Sequence, residues 1–444
     1  MVSRAALAFA FVLSCAGCSA DSGSTAQQGL LLHGFRLVDP SDRSVREADL
    51  CIARGAVRAC GPSESARYQR IEGKGRFLLP ALWDLNASLW GNISARKYDD
   101  IYQEMTISQT LRVQLYYGVA HVGTFAMNDE WVSREVKRAR ALEFPAAELL
   151  FPDKALGGKE SFACVAVQRE AELPALLEQR QSHAAPYVLL VYGDPESKDL
   201  PGLSRALLAE ALTQAARRSL KGYVLVDTWQ RAREAAELGA ALLYGSPQGE
   251  LTQDLIALLR DKAVAFAPDL SGLELARVLG AQPALKDPFL SASVSELVLS
   301  TFREPNGLWV GWRPALARAQ QSQVTLLADL RRLSDAGVHL VQGSGAGWKA
   351  GSFQGYSTHS AQVWLEQAGV APWSRLAAVT VWPAALVGRR VSFAPDAPAD
   401  FVALDADPLS QASNLRRLSF LIRDGRVIDR VTLEPDLTRD KFRP

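Results

Sequence analysis

The sequence predicts an α/β protein built around a parallel barrel. Through the middle of the chain, short apolar strands alternate with helical segments, which is typical of parallel strands joined by crossover helices. Both ends instead carry strands joined by two-residue turns. The chain has 444 residues, of which 48% are hydrophobic and 22% charged. It is therefore long enough to bury a large core and too long for one small domain.

The central elements follow from runs of apolar residues. Residues 101–117 have helical periodicity, and a second helix follows 227, with alanines at 232, 235 and 236. Short apolar runs predict strands at 118–124, 186–193, 222–227, 240–245 and 263–268, and a last strand with its loop at 338–347. No internal repeat or low-complexity block interrupts this alternation.

The two ends have a different pattern. Residues 31–62 alternate apolar and polar side chains around a two-residue turn at Arg54-Gly55. Near the other end, residues 399–409 read Ala-Asp-Phe-Val-Ala-Leu-Asp-Ala-Asp-Pro-Leu, and 421–427 contain a strand, the turn Asp424-Gly425 and the start of another strand. Hairpins are therefore expected at both ends.

Residues 78–88 read Leu-Leu-Pro-Ala-Leu-Trp-Asp-Leu-Asn-Ala-Ser. This segment resembles the first barrel strand of the amidohydrolase superfamily of metal-dependent hydrolases, which reads Leu-Pro-Gly-Leu-x-Asp-x-His-x-His. The two histidines of that strand point to one face and hold a metal. Residues 399–409 are similar to the family's closing Ala-Asp-Leu-Val-x-Leu-Asp-x-Asp-Pro-Leu. The resemblance, to the imidazolonepropionase- and prolidase-like branch, covers nearly the whole chain after its leader.

The resemblance implies a (β/α)8 TIM-like barrel at 79–388. It also implies a small β-sandwich made jointly by residues 29–78 and 389–437. In this alignment, 118–124 is the second strand, and the four runs from 186–193 to 263–268 are strands four to seven. Residues 338–347 are strand eight and its loop. Asp84 is expected near the barrel floor.

Every ligand position of the family is substituted. The two histidines of the first strand are replaced by Asn86 and Ser88, and the strand-eight aspartate, which serves as base, by Gly345. The bridging lysine of strand four and the histidines of strands five and six are replaced by Leu190, Asp227 and Tyr244.

These substitutions remove the chemistry that the family uses. One carboxylate with neutral amide and hydroxyl groups does not supply three or four good ligands for a transition metal. The general base is missing as well. We therefore expect no metal cofactor, although family members bind zinc or another divalent metal.

Two functions stay open on this sequence. The first is a non-catalytic binding or interaction protein, a pseudoenzyme, because no Ser, Cys or Lys has an evident partner that would activate it as a nucleophile. The alternative is a hydrolase of non-peptide carbon–nitrogen bonds with altered, metal-independent chemistry. In that case Asp227 would be the base, and Tyr244 or Asn86 the oxyanion donor.

Aromatic residues near predicted strand ends favour a ligand with flat faces, such as a sugar or an aromatic compound. These tryptophans are equally compatible with packing under loops. Trp90, Trp229 and Trp348 follow predicted strand ends, and Trp309 and Trp312 lie in the long segment after the strand at 263–268.

Of the five histidines, only His359 is a candidate for a pocket rim, because it follows the strand-eight loop near a helix start. The other four are expected to be hydrogen-bonded side chains of the core or the surface, without a role in a site. They are His33, His121, His183 and His339.

The leader predicts a lipoprotein. Arg4 precedes a short apolar run at 5–13, and Ala-Gly-Cys at 16–18 resembles a bacterial lipobox with Cys18 as the lipidated residue. Cys15 is an alternative acceptor, and an ordinary signal peptide is an alternative interpretation. Residues 1–18 are then the signal peptide and 19–28 a flexible tether. Ser19 favours the outer membrane, facing the periplasm.

The expected partners are the membrane, through the lipid anchor, and an unknown small ligand or envelope protein. The net charge of +1 and the absence of basic runs argue against nucleic acid.

Three cysteines remain after the leader. With a two-residue turn at 54–55, Cys51 faces Arg58, so Cys51 and Cys60 are diagonal neighbours at the limit of disulfide geometry. An oxidising compartment permits the bond, and the sequence leaves it open. Cys164 is expected to be a small core residue.

Overall fold

The structure is a computed structural model. It describes residues 29–62, 66–88, 107–124, 145–150, 153–161, 163–182, 186–198, 200–280, 282–303, 324–347, 351–431 and 433. The predicted signal peptide, lipidated cysteine and tether lie outside these residues, as do His183 and the tryptophans at 90, 309, 312 and 348.

The described residues form seventeen strands. They are β1 (Leu30–Asp39), β2 (Ser44–Ala53), β3 (Ala56–Arg58), β4 (Gln69–Glu72), β5 (Phe77–Pro80), β6 (Leu82–Asp84), β7 (Val119–Gly123), β8 (Glu148–Leu150), β9 (Ala155–Gly157), β10 (Cys164–Ala166), β11 (Tyr187–Tyr192), β12 (Lys221–Val226), β13 (Leu242–Gly245), β14 (Ala265–Pro268), β15 (Phe401–Leu404), β16 (Leu418–Arg423) and β17 (Arg426–Ile428).

Helices lie mostly between the central strands and after them. They are α1 (Ile107–Tyr116), α2 (Leu173–Ser182), α3 (Arg205–Arg217), α4 (Trp229–Glu237), α5 (Gln253–Asp261), α6 (Ser271–Gly280), α7 (Pro288–Ser291), α8 (Glu296–Arg303), α9 (324–335), α10 (Tyr356–Gln367), α11 (Pro372–Ala378) and α12 (Val381–Leu386). In the described part of the chain, none of the helices combines the length and the apolar character that crossing a membrane requires.

The strands of both chain ends lie in one eight-stranded sheet. Its order is β17-β16-β15-β5-β1-β2-β3, and β4 pairs with β1. The two ends join where β15 pairs antiparallel with β5, with Val402 opposite Leu79. The sheet bends around its own apolar core, so that Val57 N–H donates to the Ala397 carbonyl at 2.9 Å. The terminal segments therefore form one composite unit, which we call the terminal sheet.

The central strands form two parallel sheets. One has the order β10-β9-β11-β12-β13-β14, and the other has the order β6-β7-β8. In the segment 338–347, where the last strand and its loop were predicted, strand pairing is reduced to a single bridge between Leu340 and Phe266 of β14. This segment also contacts the short sheet, because Leu85 N–H donates to the Gln342 carbonyl at 3.3 Å. Within the described residues the central strands do not close into one hydrogen-bonded ring.

Alternate side chains of the central strands face two different cores. Leu189 and Val191 of β11 pack with Tyr244 in the inner cluster. Leu190 instead belongs to the layer between strands and helices, where it lies close to Leu212 of α3 around Gly222. The side chains of the inner cluster lie beneath a site that is built at the strand ends.

Cys51 and Cys60 form a disulfide with their Cα atoms 5.3 Å apart. Cys51 is opposite Arg58, as the two-residue turn requires. Strand β3 ends at Arg58, however, so Cys60 is not held in the ladder and can approach Cys51 more closely than a diagonal strand partner would. Cys164 is buried, and burial raises the pKa of its thiol to about 11.

Candidate functional site

Asp84 lies at the end of β6 and is fully buried. Its Oδ1 accepts the backbone N–H groups of Asn86 at 3.1 Å and Ser344 at 2.9 Å. Its Oδ2 accepts the hydroxyls of Ser344 and, at 3.1 Å, Thr358. Burial raises the pKa of this carboxyl, and the bonds from Ser344 oppose the shift. The four donors use the acceptor capacity of Asp84 within the protein.

The strand-eight loop lies directly along the continuation of β6. Gly345 N–H donates to the Asn86 carbonyl at 2.9 Å, and Ser88 N–H donates to the Ala346 carbonyl at 2.7 Å. The amide of Gln354 donates to the Ser88 carbonyl at 2.6 Å. Asn86 and Ser88, which were predicted to replace the family's first histidines, are thus joined to the strand-eight loop by backbone hydrogen bonds.

Tyr244 at the end of β13 joins the same cluster. Its hydroxyl is hydrogen-bonded to the side chains of Asn86 and Asp269. Burial raises the pKa of Tyr244 well above its usual value, and the negative charges of Asp269 and Asp84 add to this shift. The phenol therefore stays protonated and can act as a hydrogen-bond donor.

Asp269 is a site residue that the sequence interpretation did not single out. It directly follows β14, and Ser271 donates to its Oδ1 through both the backbone N–H, at 3.0 Å, and the hydroxyl. The signal that could have found it was present. It is a carboxylate directly after the predicted strand at 263–268, at the strand end where barrel sites are built.

Gly345, which the sequence comparison predicted at the position of the family's strand-eight aspartate, has a left-handed φ of +65°. A Cβ atom there would lie 2.9 Å from the Cβ of Ser271 and 3.1 Å from Oδ1 of Asp269. The neighbouring Gly343 is equally constrained, because its Cβ would lie 2.6 Å from that of Asn86. The loop is therefore packed against β6 and the residues after β14, and the space beside Gly345 is taken by the Asp269 carboxylate.

The structure brings together five of the predicted site residues, Asp84, Asn86, Ser88, Tyr244 and Gly345, with Asp269 added. Two others make different contacts. Both oxygens of Asp227 accept from Nη1 of Arg231 at 2.7 Å, and Leu190 faces the helix layer.

His359 lies in the core and not at a pocket rim. It is 1% exposed, and its Nε2–H donates to the Tyr117 carbonyl at 2.7 Å. Burial lowers the pKa of its imidazole to about 3. Trp229 is also buried, and its indole N–H donates to Asp329 at 3.2 Å. It anchors α4 and does not frame an opening.

The side chains of the cluster do not fit a catalytic metal. Asp84 already accepts four hydrogen bonds, and Asn86 and Tyr244 offer neutral oxygens to an ion that prefers imidazole, thiolate or carboxylate. Among the described residues, no group of three or more His, Cys, Asp or Glu is placed to hold a metal ion. The arrangement is instead a hydrogen-bonded cluster with one buried carboxylate, one half-buried carboxylate and a phenol donor.

Comparison with known proteins identifies the fold. No family model matches the sequence, and no curated protein matches it. A solved Xaa-Pro dipeptidase with bound methionine has a TM-score of 0.68 at 14% identity, with 90% of this chain and 100% of that one covered. Molinate hydrolase has a TM-score of 0.68 at 16% identity, with 91% of this chain and 96% of that one covered. Phenylurea hydrolase B has a TM-score of 0.68 at 15% identity, with 94% of this chain and 100% of that one covered.

These neighbours are amidohydrolase-superfamily proteins, so the chain has an amidohydrolase-type fold. The resemblance inferred from its first strand and closing segment is confirmed at the level of the fold.

Proposed function

We propose that this chain is a non-catalytic binding or interaction protein of the bacterial cell envelope that uses an amidohydrolase-type fold. In this proposal the two parallel sheets complete a (β/α)8 barrel beside a sandwich made by the terminal sheet. The observation that carries the proposal is the packing of the strand-eight loop. The loop is hydrogen-bonded along the segment that continues β6, and no side chain fits at Gly345 without displacing Ser271 or Asp269.

This packing is a second argument for the loss of catalysis, in addition to the substitution of the metal ligands. A metallohydrolase needs an open coordination position and a base beside the attacking water. Here the acceptor capacity of Asp84 is used by Asn86, Ser344 and Thr358. Hydrogen bonds from these protein groups thus hold Asp84 in place, as a bound metal would in a metallohydrolase.

We further propose that a lipid on Cys18 anchors the mature chain to the outer membrane, facing the periplasm. The disulfide between Cys51 and Cys60 supports an oxidising compartment. The ligand is then a small molecule, or an envelope protein, that meets the chain outside the cytoplasm.

The test combines metal content with turnover. Protein purified without chelator is examined by elemental analysis and for zinc-dependent stabilisation, which requires binding to the folded state. It is then assayed on Xaa-Pro dipeptides, molinate and a phenylurea, as suggested by the structural neighbours. We expect substoichiometric metal, no shift in melting temperature with zinc and no turnover. The double variant Asn86→His, Ser88→His should also stay inactive, because the strand-eight base is still absent.

One observation favours the second candidate, a hydrolase of non-peptide carbon–nitrogen bonds with metal-independent chemistry. Asp269 places a carboxylate beside Gly345, next to the Tyr244 phenol. Asp269 would be the base, or Asp227 if its ion pair with Arg231 opens, and Tyr244 or Asn86 the oxyanion donor. Turnover in the panel that is abolished by Asp269→Asn or by Asp227→Asn would replace the first proposal with this one.

A further inference from the structure

A second cluster of charged side chains joins the terminal sheet to the short parallel sheet and shares no residue with the candidate site. His121 of β7 lies at its centre and is 4% exposed. Its Nδ1 lies 3.0 Å from Oε2 of Glu148 on β8, and its Nε2 lies 3.3 Å from Oδ2 of Asp400, next to β15. One imidazole thus connects a carboxylate of each sheet.

Two arginines complete this cluster. Arg389 donates to both oxygens of Glu148 at 2.5 and 2.6 Å. Arg423 of β16 donates to Asp400 at 2.6 Å and to Asp424 at 3.0 Å. Arg423 also lies 3.7 Å from Glu148. We call these six side chains the junction cluster; they are His121, Glu148, Arg389, Asp400, Arg423 and Asp424.

Geometry and charge balance both determine the state of His121. A neutral imidazole has one N–H and one lone pair, so it can donate to only one of two carboxylates. The imidazolium donates to both. The junction cluster contains three carboxylates and two guanidinium groups, so a proton on His121 makes its charges equal in number.

We propose that the junction cluster is a pH-responsive clamp between the terminal sheet and strands β6–β8, closed while His121 carries protons on both ring nitrogens. This goes beyond the proposed function, because it concerns how the two parts of the fold are held together. Burial opposes ionisation of Glu148, but the bonds from Arg389 and His121 outweigh it and lower its pKa. The carboxylates therefore remain charged partners for the imidazolium throughout the physiological range.

The clamp reaches the candidate site through one side chain. The indole of Trp83 stacks on His121 with ring centroids 4.0 Å apart, and the Arg389 guanidinium lies 5.9 Å from the same ring. Trp83 directly precedes Asp84 in β6. Loss of the proton on His121 would thus loosen a contact next to the buried carboxylate of the site.

His339 provides a matched control within the same chain. It also stacks on an indole, that of Trp382, with centroids 4.3 Å apart. Burial lowers the pKa of its imidazole, so His339 should be neutral where His121 is charged.

The experiment uses the full chain, with His121→Gln and His339→Gln as variants. At pH 6.5, nitrogen NMR should show two protonated ring nitrogens for His121 and one for His339. The midpoint of urea unfolding should fall as pH rises, because the folded state then loses a bound proton. The folding constant of the parent and of His339→Gln should drop about tenfold between pH 6 and 9, whereas that of His121→Gln should not.

A neutral His121 ring at pH 6, or an unchanged pH profile in His121→Gln, would overturn the proposal. If His121→Gln does not fold, the ring state is read in the parent, where contacts with the Trp83 indole assign the His121 signals.

Discussion

Replacing Gly345 by alanine tests whether packing keeps the strand-eight position free of a side chain. Any side chain at the left-handed φ of +65° is strained, at a cost of about 1–2 kcal/mol. Its Cβ would also lie 2.9 Å from that of Ser271, and such overpacking costs about 1–3 kcal/mol. Together these predict that Gly345→Ala lowers the free energy of unfolding by about 2–5 kcal/mol. Gly345→Asp should cost more, because it adds a carboxylate beside Asp269.

Gly337→Ala separates the two contributions. Gly337 has a φ of +85°, and a Cβ there would meet nothing within 4 Å, so only the backbone cost of about 1–2 kcal/mol applies. Urea unfolding of the parent and both alanine variants, followed by far-UV circular dichroism, gives the two differences. If Gly345→Ala and Gly337→Ala agree within roughly 0.5 kcal/mol, the strand-eight loop has room for a side chain. The packing argument for a closed site is then wrong.

Four further predictions concern other parts of the chain. Burial opposes ionisation of Asp400, but the bond from His121, the charge of Arg423 and the bond from the Asp424 N–H together outweigh it, and its pKa falls to about 2. The stabilisation from Asp400 is therefore present above the unfolded pKa of ~4 and lost as pH falls towards 2. Acid titration of Asp400→Asn should lack this loss. Truncation after Asp396 removes β15 to β17 and exposes β5 as an edge strand, so the product should aggregate; a soluble product that melts cooperatively would contradict the pairing. Reducing the Cys51–Cys60 disulfide, with sequence separation 9, should cost about 2–3 kcal/mol, measured as a shift in unfolding midpoint with and without reductant. Cys18→Ala should release the protein from the membrane fraction or leave the precursor uncleaved, and a variant that fractionates like the parent would point to Cys15.

Local turn chemistry and periodicity determined much of the fold. Asp424-Gly425 closes β16 onto β17 with Arg423 opposite Arg426, because a two-residue turn of this type fixes the register. The apolar runs at 186–193 and 222–227 enclose β11 and all but the first residue of β12. The substitutions at Asn86 and Gly345 were likewise inferred from the sequence, because the motifs around them indicate which family positions they replace.

The tertiary structure decided which side chains meet. The run around Leu190 is apolar at every position, so it contains no alternation that could say which face is turned inward, and packing against α3 decided it. His359 follows the strand-eight loop in sequence, yet α10 buries it completely. Asp269 approaches Gly345 only because β14 and the strand-eight loop are neighbours in space. Composition and period report the local preference of the backbone, whereas the contents of a site depend on contacts between segments far apart in the chain.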